Sequence, residues 1–196
     1  MKKEVINYFY NLILKYNQYD EEEKEKLLYG LEGLYLTITK LIVIVILALL
    51  LHIIKEVFFT ILFFNIIRYT GFGFHAEKSY QCLITSTIFF VLLPLLFKYI
   101  DLNFTVSTIL FGLSILSYLF FAPADTIKRP MPDKKTRKIR KISTIIIGIG
   151  FYIGYLFASP SIGKCFILAL VIESIIINPL FYKLFKQPYA NYKKIK

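Results

Sequence analysis

The feature of this 196-residue chain that most constrains its fold is a series of apolar blocks, most of them close to the length that crosses a lipid bilayer. A spanning helix needs about 20 mostly apolar residues, roughly 17–25. Residues 34–54 meet this, with Lys40 near the start and His52 near the end. Residues 57–67 are strongly apolar but shorter, and Asn65 interrupts them. Residues 82–97 form a third block with Pro94 inside it, and 104–122 a fourth. Residues 142–159 are a fifth, carrying Gly148, Gly150 and Gly154, and residues 165–182 a sixth, carrying Glu173. The expected fold is an all-α integral membrane protein of about six transmembrane helices preceded by an N-terminal amphipathic helix. The short 57–67 block leaves a second arrangement open, in which it is a re-entrant or interfacial segment after a single span.

Composition excludes the main alternatives. Charged residues are 19% of the chain, against about a quarter in soluble domains, and 57% are hydrophobic. That rules out a disordered chain, a coiled coil and an ordinary soluble enzyme. Two cysteines are too few for a disulfide-framed secreted domain. A net charge of +11 would suit a nucleic-acid binder, but the apolar blocks argue against a nucleic-acid partner. In a membrane protein the excess Lys and Arg mark cytoplasmic loops and contacts with anionic lipid. With six spans and a cytoplasmic N-terminus, the inside regions 1–40, 68–82, 122–141 and 183–196 hold 21 of the 24 Lys and Arg. The outside turns hold only Lys55, Lys98 and Lys164. A five-span arrangement would split the basic loop from the C-terminal lysines, so six spans with both termini inside a bacterial cell membrane is the expectation.

No secretory signal is expected, because the residues before the first block are polar and of mixed charge. Residues 3–17 place Val5, Phe9, Leu12 and Ile13 on one helical face, the pattern of a helix at the membrane surface or of a soluble interaction helix. Asp20 reads as a helix N-cap, with Glu21, Glu22 and Glu23 in the first turn. The chain reads as one membrane-embedded domain over 1–196, with 1–33 as its N-terminal helices. The glycine-lined fifth span would suit a homodimer.

Chemistry concentrates in two clusters. The first runs Arg68-Tyr69-Thr70-Gly71-Phe72-Gly73-Phe74-His75-Ala76-Glu77-Lys78-Ser79-Tyr80-Gln81-Cys82, on the cytoplasmic side. A Cys and a His within reach make a nucleophile and its base, since imidazole takes the thiol proton and the thiolate attacks a carbonyl. On a straight helix, seven residues separate them by about 10.5 Å along the axis. His75 must therefore lie in a non-helical turn folded back over the helix bearing Cys82, and Gly71 and Gly73 allow such a turn. Oxyanion stabilisers are available by proximity in Gln81, Ser79 and the backbone amides at the start of the third span. Two ligands are too few for structural zinc, and neither a metal nor a cofactor is expected. His52 and Cys165 read as packing or interfacial residues. Glu173 in mid-span is either paired, with Ser174, a Tyr hydroxyl or a neighbouring helix, or functional.

The second cluster is Ala122-Pro123-Ala124-Asp125-Thr126-Ile127-Lys128-Arg129-Pro130, followed by a basic run to Lys141. Its prolines make a rigid turn. Lys128, Arg129, Lys134, Lys135, Arg137, Lys138, Arg140 and Lys141 would bind anionic head groups, anchor the following span, or dock an acidic peptide.

The order Arg–x4–Gly–x–His–Ala–x5–Cys, then Ala-Pro-Ala-Asp-Thr–x–x–Arg-Pro between later spans, resembles the accessory gene regulator B (AgrB) family over nearly the whole chain. The resemblance implies a membrane cysteine endopeptidase that removes the acidic C-terminal tail of a quorum-sensing propeptide (AgrD) and helps close a thiolactone or lactone autoinducer. It implies Cys82 as nucleophile and His75 as base, with Arg68 and Gly73 in the same motif and Pro123, Asp125 and Pro130 in the later one. Asp125 could orient His75 if the two loops meet. One departure stands out: the family commonly has two adjacent glycines before the residue preceding the His, and here the first of them is Phe72. Competing readings are a small transporter using Glu173 as an intramembrane relay and a lipid-modifying enzyme.

Overall fold

Each apolar block folds as helix, and no strand occurs among the residues that the computed structural model describes: 2–17, 19–74, 76, 78–126 and 130–194. In chain order these are α1 (Lys2–Tyr16), α2 (Glu21–Leu50), α3 (Ile54–Gly71), α4 (Ser79–Thr87), a π-helical turn (Ile88–Leu92), α5 (Leu93–Tyr99), α6 (Phe104–Phe121), α7 (Lys134–Phe157), α8 (Pro160–Ile176), α9 (Pro179–Leu184) and a 3-10 turn (Asn191–Lys194). The α4, π and α5 segments run on as one helix over Ser79–Tyr99.

Polar caps decide where several of these begin. Asp20 Oδ1 accepts the Glu23 N–H at 2.7 Å and Glu23 Oε2 accepts the Asp20 N–H at 3.1 Å, a reciprocal cap that opens α2. Asn103 Oδ1 accepts the Val106 N–H at 2.9 Å, and Asn178 Oδ1 the Leu180 N–H at 2.9 Å. Asp133 takes the N–H groups of Lys135 and Thr136 at 3.1 and 2.8 Å. The Thr136 hydroxyl and N–H, with the Lys135 N–H, hold the Asp133 carboxyl below the usual carboxylate range.

The boundaries differ from the apolar blocks for physical reasons. Helix α7 starts at Lys134 rather than residue 142, because Lys and Arg are good helix formers and Asp133 caps them. Helix α3 is a continuous 18-residue element, not an 11-residue fragment, since its polar ends extend the turn pattern. Helix α8 stops at Ile176 and the chain restarts at Pro179, which disfavours helical geometry in the residue before it.

Among the described residues, four helices are long and apolar enough to cross a membrane: Glu21–Leu50, Ser79–Tyr99, Phe104–Phe121 and Lys134–Phe157. Helix α8 has only 17 residues, and α3 carries Lys55, Glu56 and Arg68.

The chain divides into two compact units, residues 1–47 and 48–196. In the first, α1 buries Ile6 and leaves Val5, Phe9 and Leu12 exposed. In the second, α8 is the central helix, packed against α3, α5, α6 and α7. Ile167, Leu168, Ala169, Leu170 and Ile172 are all buried, as a helix apolar on every side requires. Hydrogen bonds join the surrounding helices to α8 and to one another. Tyr118 donates to Leu170 O at 2.7 Å, Ser117 to Ser174 O at 3.0 Å, and Thr144 to Thr70 Oγ1 at 3.0 Å. Gly148 and Gly154 of the fifth block are used within the chain: a Cβ on either would stand 3.0 Å from Ile115 or Phe166.

The α3–α8 seam is held by Phe63 stacked on Phe166 at 3.9 Å between ring centroids, with Phe151 against both. Phe63→Ala should destabilise the protein by about 3 kcal/mol, read as a lower unfolding temperature in detergent. An unchanged transition would mean that this seam contributes little.

Candidate active site

Helix α3 ends in the first motif cluster, and its last charged residue organises the loop beyond it. The Arg68 guanidinium turns back over the chain, Nη1 donating to Phe72 O and Nη2 to Phe74 O and, at 3.3 Å, to Gly73 O. Three successive carbonyls converge on one planar fork, a geometry suited to Arg and not to Lys. Arg68 also lies 5.5 Å from the centre of the Phe64 ring, and its Nη1 is 3.8 Å from Oε2 of the fully buried Glu173.

The backbone bends to make this possible. Gly73 has φ +102°, and a Cβ there would sit 2.8 Å from Ile176 Cγ2 and 2.9 Å from Arg68 Nη1. Phe72 nevertheless adopts φ 60° and ψ −120°, a conformation glycine favours. Its ring is stacked under the Arg140 guanidinium at 4.4 Å, so the side chain has its own anchor.

The two motif loops meet. Gly73 N–H donates to Ala124 O at 2.8 Å, and Ala124 N–H donates to Gly71 O at 3.0 Å. Phe74 N–H donates to Ile176 O at 3.2 Å at the end of α8. The buried Phe74 ring sits among Phe181, Tyr182 and Phe185. Residues 72–74 are thus non-helical. His75 itself lies outside the described residues.

Cys82 occupies the first turn of α4, half-buried and not disulfide-bonded, with its N–H donating to Lys78 O at 3.1 Å. The first N–H groups of a helix have no acceptor within it, so Ser79, Tyr80 and Gln81 present donors beside the thiol's own turn. The Thr85 hydroxyl ties down Gln81 O and Cys82 O at 2.8 and 3.2 Å.

Asp125 is buried, and its carboxylate is engaged by the C-terminal turn. Oδ1 accepts Asn191 N–H at 2.9 Å, and Oδ2 accepts Tyr192 N–H at 2.6 Å. The Tyr182 hydroxyl donates to Asp125 O at 3.1 Å, and Tyr189 to Phe121 O at 3.3 Å. Burial, reinforced by Tyr192 and Asp125, pushes the Tyr189 hydroxyl up to about 12, so it stays a neutral donor at physiological pH. This tail clasp has no short-range signal in the sequence, because Asp125 and Asn191 are distant in the chain.

The basic run splits by role. Lys134, Lys135 and Lys138 are exposed. Arg137 lies over the Tyr192 ring at 3.2 Å, Arg140 donates to Tyr69 O at 2.8 Å, and Lys141 to Leu119 O at 2.8 Å. Lys128 and Arg129 fall outside the described residues. At the far end of α8, Cys165 is buried against Ser161 O and Glu56 O at 3.3 and 3.6 Å. The His52 carbonyl there accepts from Lys98 Nζ at 2.7 Å.

The Accessory gene regulator B family model matches residues 6–177. The chain belongs to the AgrB family. It is 33% identical over 180 residues to the AgrB-like protein of Listeria monocytogenes serovar 1/2a, covering 89% of this chain and 86% of that protein. It is 31% identical over 177 residues to Accessory gene regulator protein B of Staphylococcus aureus strain Newman, covering 90% of this chain and 93% of that one. No solved structure matches. Membership ties the chain to accessory gene regulation, and the two AgrB-like motif loops are the segments that Arg68, Gly73 and Ala124 bring together.

Gly73→Ala should cost roughly 1–3 kcal/mol, the strain of a side chain at this φ, before any clash is counted. Phe72→Gly should leave stability within about 1 kcal/mol, relief of strain offsetting the lost stacking on Arg140. Thermal unfolding of both variants in detergent checks this; equal losses would contradict it.

Proposed function

We propose that this chain is a membrane cysteine endopeptidase that cuts the C-terminal tail from a quorum-sensing propeptide of the AgrD type and promotes closure of the remainder into a thiolactone or lactone. The observation that carries the reading is the joining of the two motif loops: backbone bonds tie Gly71 and Gly73 to Ala124 where the chain leads into the helix that bears Cys82 in its first turn.

The topology that goes with it has six membrane-crossing helices. Helices α3 and α8 cross as the inner pair, with Arg68 and Glu173 turned toward each other rather than toward lipid. Val5, Phe9 and Leu12 of α1 lie on the bilayer surface. Both termini and the motif loops are cytoplasmic, where the thiol stays reduced. Anionic lipid and the acidic tail of the propeptide share the exposed Lys134, Lys135 and Lys138.

In the reaction, His75 takes the Cys82 proton and the thiolate attacks the carbonyl at the cleavage point. Amides of the first α4 turn stabilise the oxyanion. The peptide C–N bond breaks, the tail's new amine leaves with the proton held by His75, and the acyl group stays on Cys82 Sγ as a thioester. The propeptide's internal Cys or Ser attacks that thioester, which closes the ring and restores the Cys82 thiol. Exchange of one thioester for another is nearly balanced, so ring closure needs no ATP, and loss of the tail draws the reaction forward.

Mass spectrometry of an acidic-tailed propeptide incubated with the protein in vesicles tests the reading. The wild type should release the tail, Cys82→Ala should release none, and His75→Ala should slow release by about 10²–10⁴-fold. An intact tail with wild-type protein would overturn the proposal. Loss of function in Glu173→Gln with Cys82→Ala unaffected would point to a transporter instead.

A further inference from the structure

We infer that Glu173 is a positioning residue for the loop carrying His75, acting through Arg68; the inference rests on the Cys82–His75 reading above. Glu173 is fully buried on α8, and its carboxylate oxygens have no hydrogen-bond partner among the described residues. The cation it faces is Arg68, 3.8 Å away on α3. A buried carboxylate without hydrogen bonds is costly unless a nearby cation compensates it. Here that cation is the group that binds the carbonyls of Phe72, Gly73 and Phe74, the three residues directly before His75.

The site is shaped for this approach. A Cβ at Gly71 would stand 2.3 Å from Glu173 Oε1, so only glycine leaves room for the carboxylate there. Helix α8 also reaches the loop through its backbone, Ile176 O accepting Phe74 N–H one turn beyond Glu173. The Arg68 side chain is 23% exposed and therefore has somewhere else to go. With Glu173 ionised, attraction keeps the guanidinium over the three carbonyls. With a neutral side chain in its place, the guanidinium gains by turning to water and the loop loses its clamp. Glu173 touches no reacting atom in this scheme and moves no proton; it holds in place the 72–74 segment that leads to His75.

The test is a double-mutant cycle on the full chain in inside-out membrane vesicles, in a Cys165→Ala background, reading the rate at which iodoacetamide alkylates Cys82 at pH 7. His75→Ala should lower the rate at least tenfold. Glu173→Gln should lower it several-fold in the presence of His75 and have no further effect in the His75→Ala protein. Glu173→Asp, which keeps the charge but draws it back by one methylene, should fall between wild type and Glu173→Gln. A wild-type rate for Glu173→Gln overturns the inference. So does an equal fold-change in both backgrounds, because a general loosening of the bundle would act without His75. An unchanged rate in His75→Ala alone overturns the Cys–His reading, and this inference with it. Should Glu173→Gln fail to assemble in the membrane, Gly71→Ala asks the same question with every charge kept. Its methyl displaces Oε1, and the same His75-dependent loss is expected; a wild-type rate there overturns the inference.

Discussion

Arg68 leaves the last turn of α3 with its guanidinium turned two ways at once, toward the buried carboxylate of Glu173 and toward the carbonyls of residues 72–74. Gly71 has no side chain where the carboxylate lies, Gly73 bends at a positive φ beneath the guanidinium, and Phe72 accepts a glycine-like backbone. The loop so formed is the one that bonds to Ala124 and brings the two motif clusters into contact. A planar cation with five donors does what the backbone amides of a helix or sheet would otherwise do for these carbonyls.

The second motif loop has its own support, drawn from the C-terminal segment. Asp125 accepts two successive backbone N–H groups from the 3-10 turn, Tyr182 and Tyr189 donate to carbonyls of the loop and its approach, and Arg137 covers Tyr192. Part of the basic run is therefore structural. Arg137, Arg140 and Lys141 are committed to the protein, whereas Lys134, Lys135 and Lys138 on the same helix face outward. A charge count sees eight equivalent cations; among the six that the structure describes, the fold separates those that hold the loops together from those that are exposed.

Much of this is legible in the sequence, and the rest is hidden there for a common cause. Apolar blocks mark the helices, and the Asp20 cap reads correctly because capping is a local event within four residues. Helix ends depart from the blocks where helix and apolar segment are different things: the Lys- and Arg-rich start of α7, the polar ends of α3, and the stop before Pro179. The His–Cys spacing asks for a non-helical turn at His75, and the residues leading up to it, 72–74, are non-helical, whereas His75 lies outside the described residues. The partner of Glu173 is not legible in this way, nor is the clasp on Asp125, because each joins segments far apart in the chain and neither leaves a periodic trace. The substitution at Phe72 reads in the sequence as a departure that shifts the turn. In the structure it is a phenylalanine held in the glycine conformation, with Arg140 stacked on its ring.

In the proposed reaction Cys82 carries the acyl group between cleavage and ring closure. Intact-protein mass spectrometry, after the wild-type chain is mixed with an acidic-tailed propeptide whose internal nucleophile has been replaced by Ala, tests it most directly. The expected result is an adduct with the mass of the propeptide less its tail, located on the peptide containing Cys82 and removed by hydroxylamine. Release of the tail by a Cys82→Ala protein, or release by the wild type with no adduct on Cys82 at any time point, would contradict it.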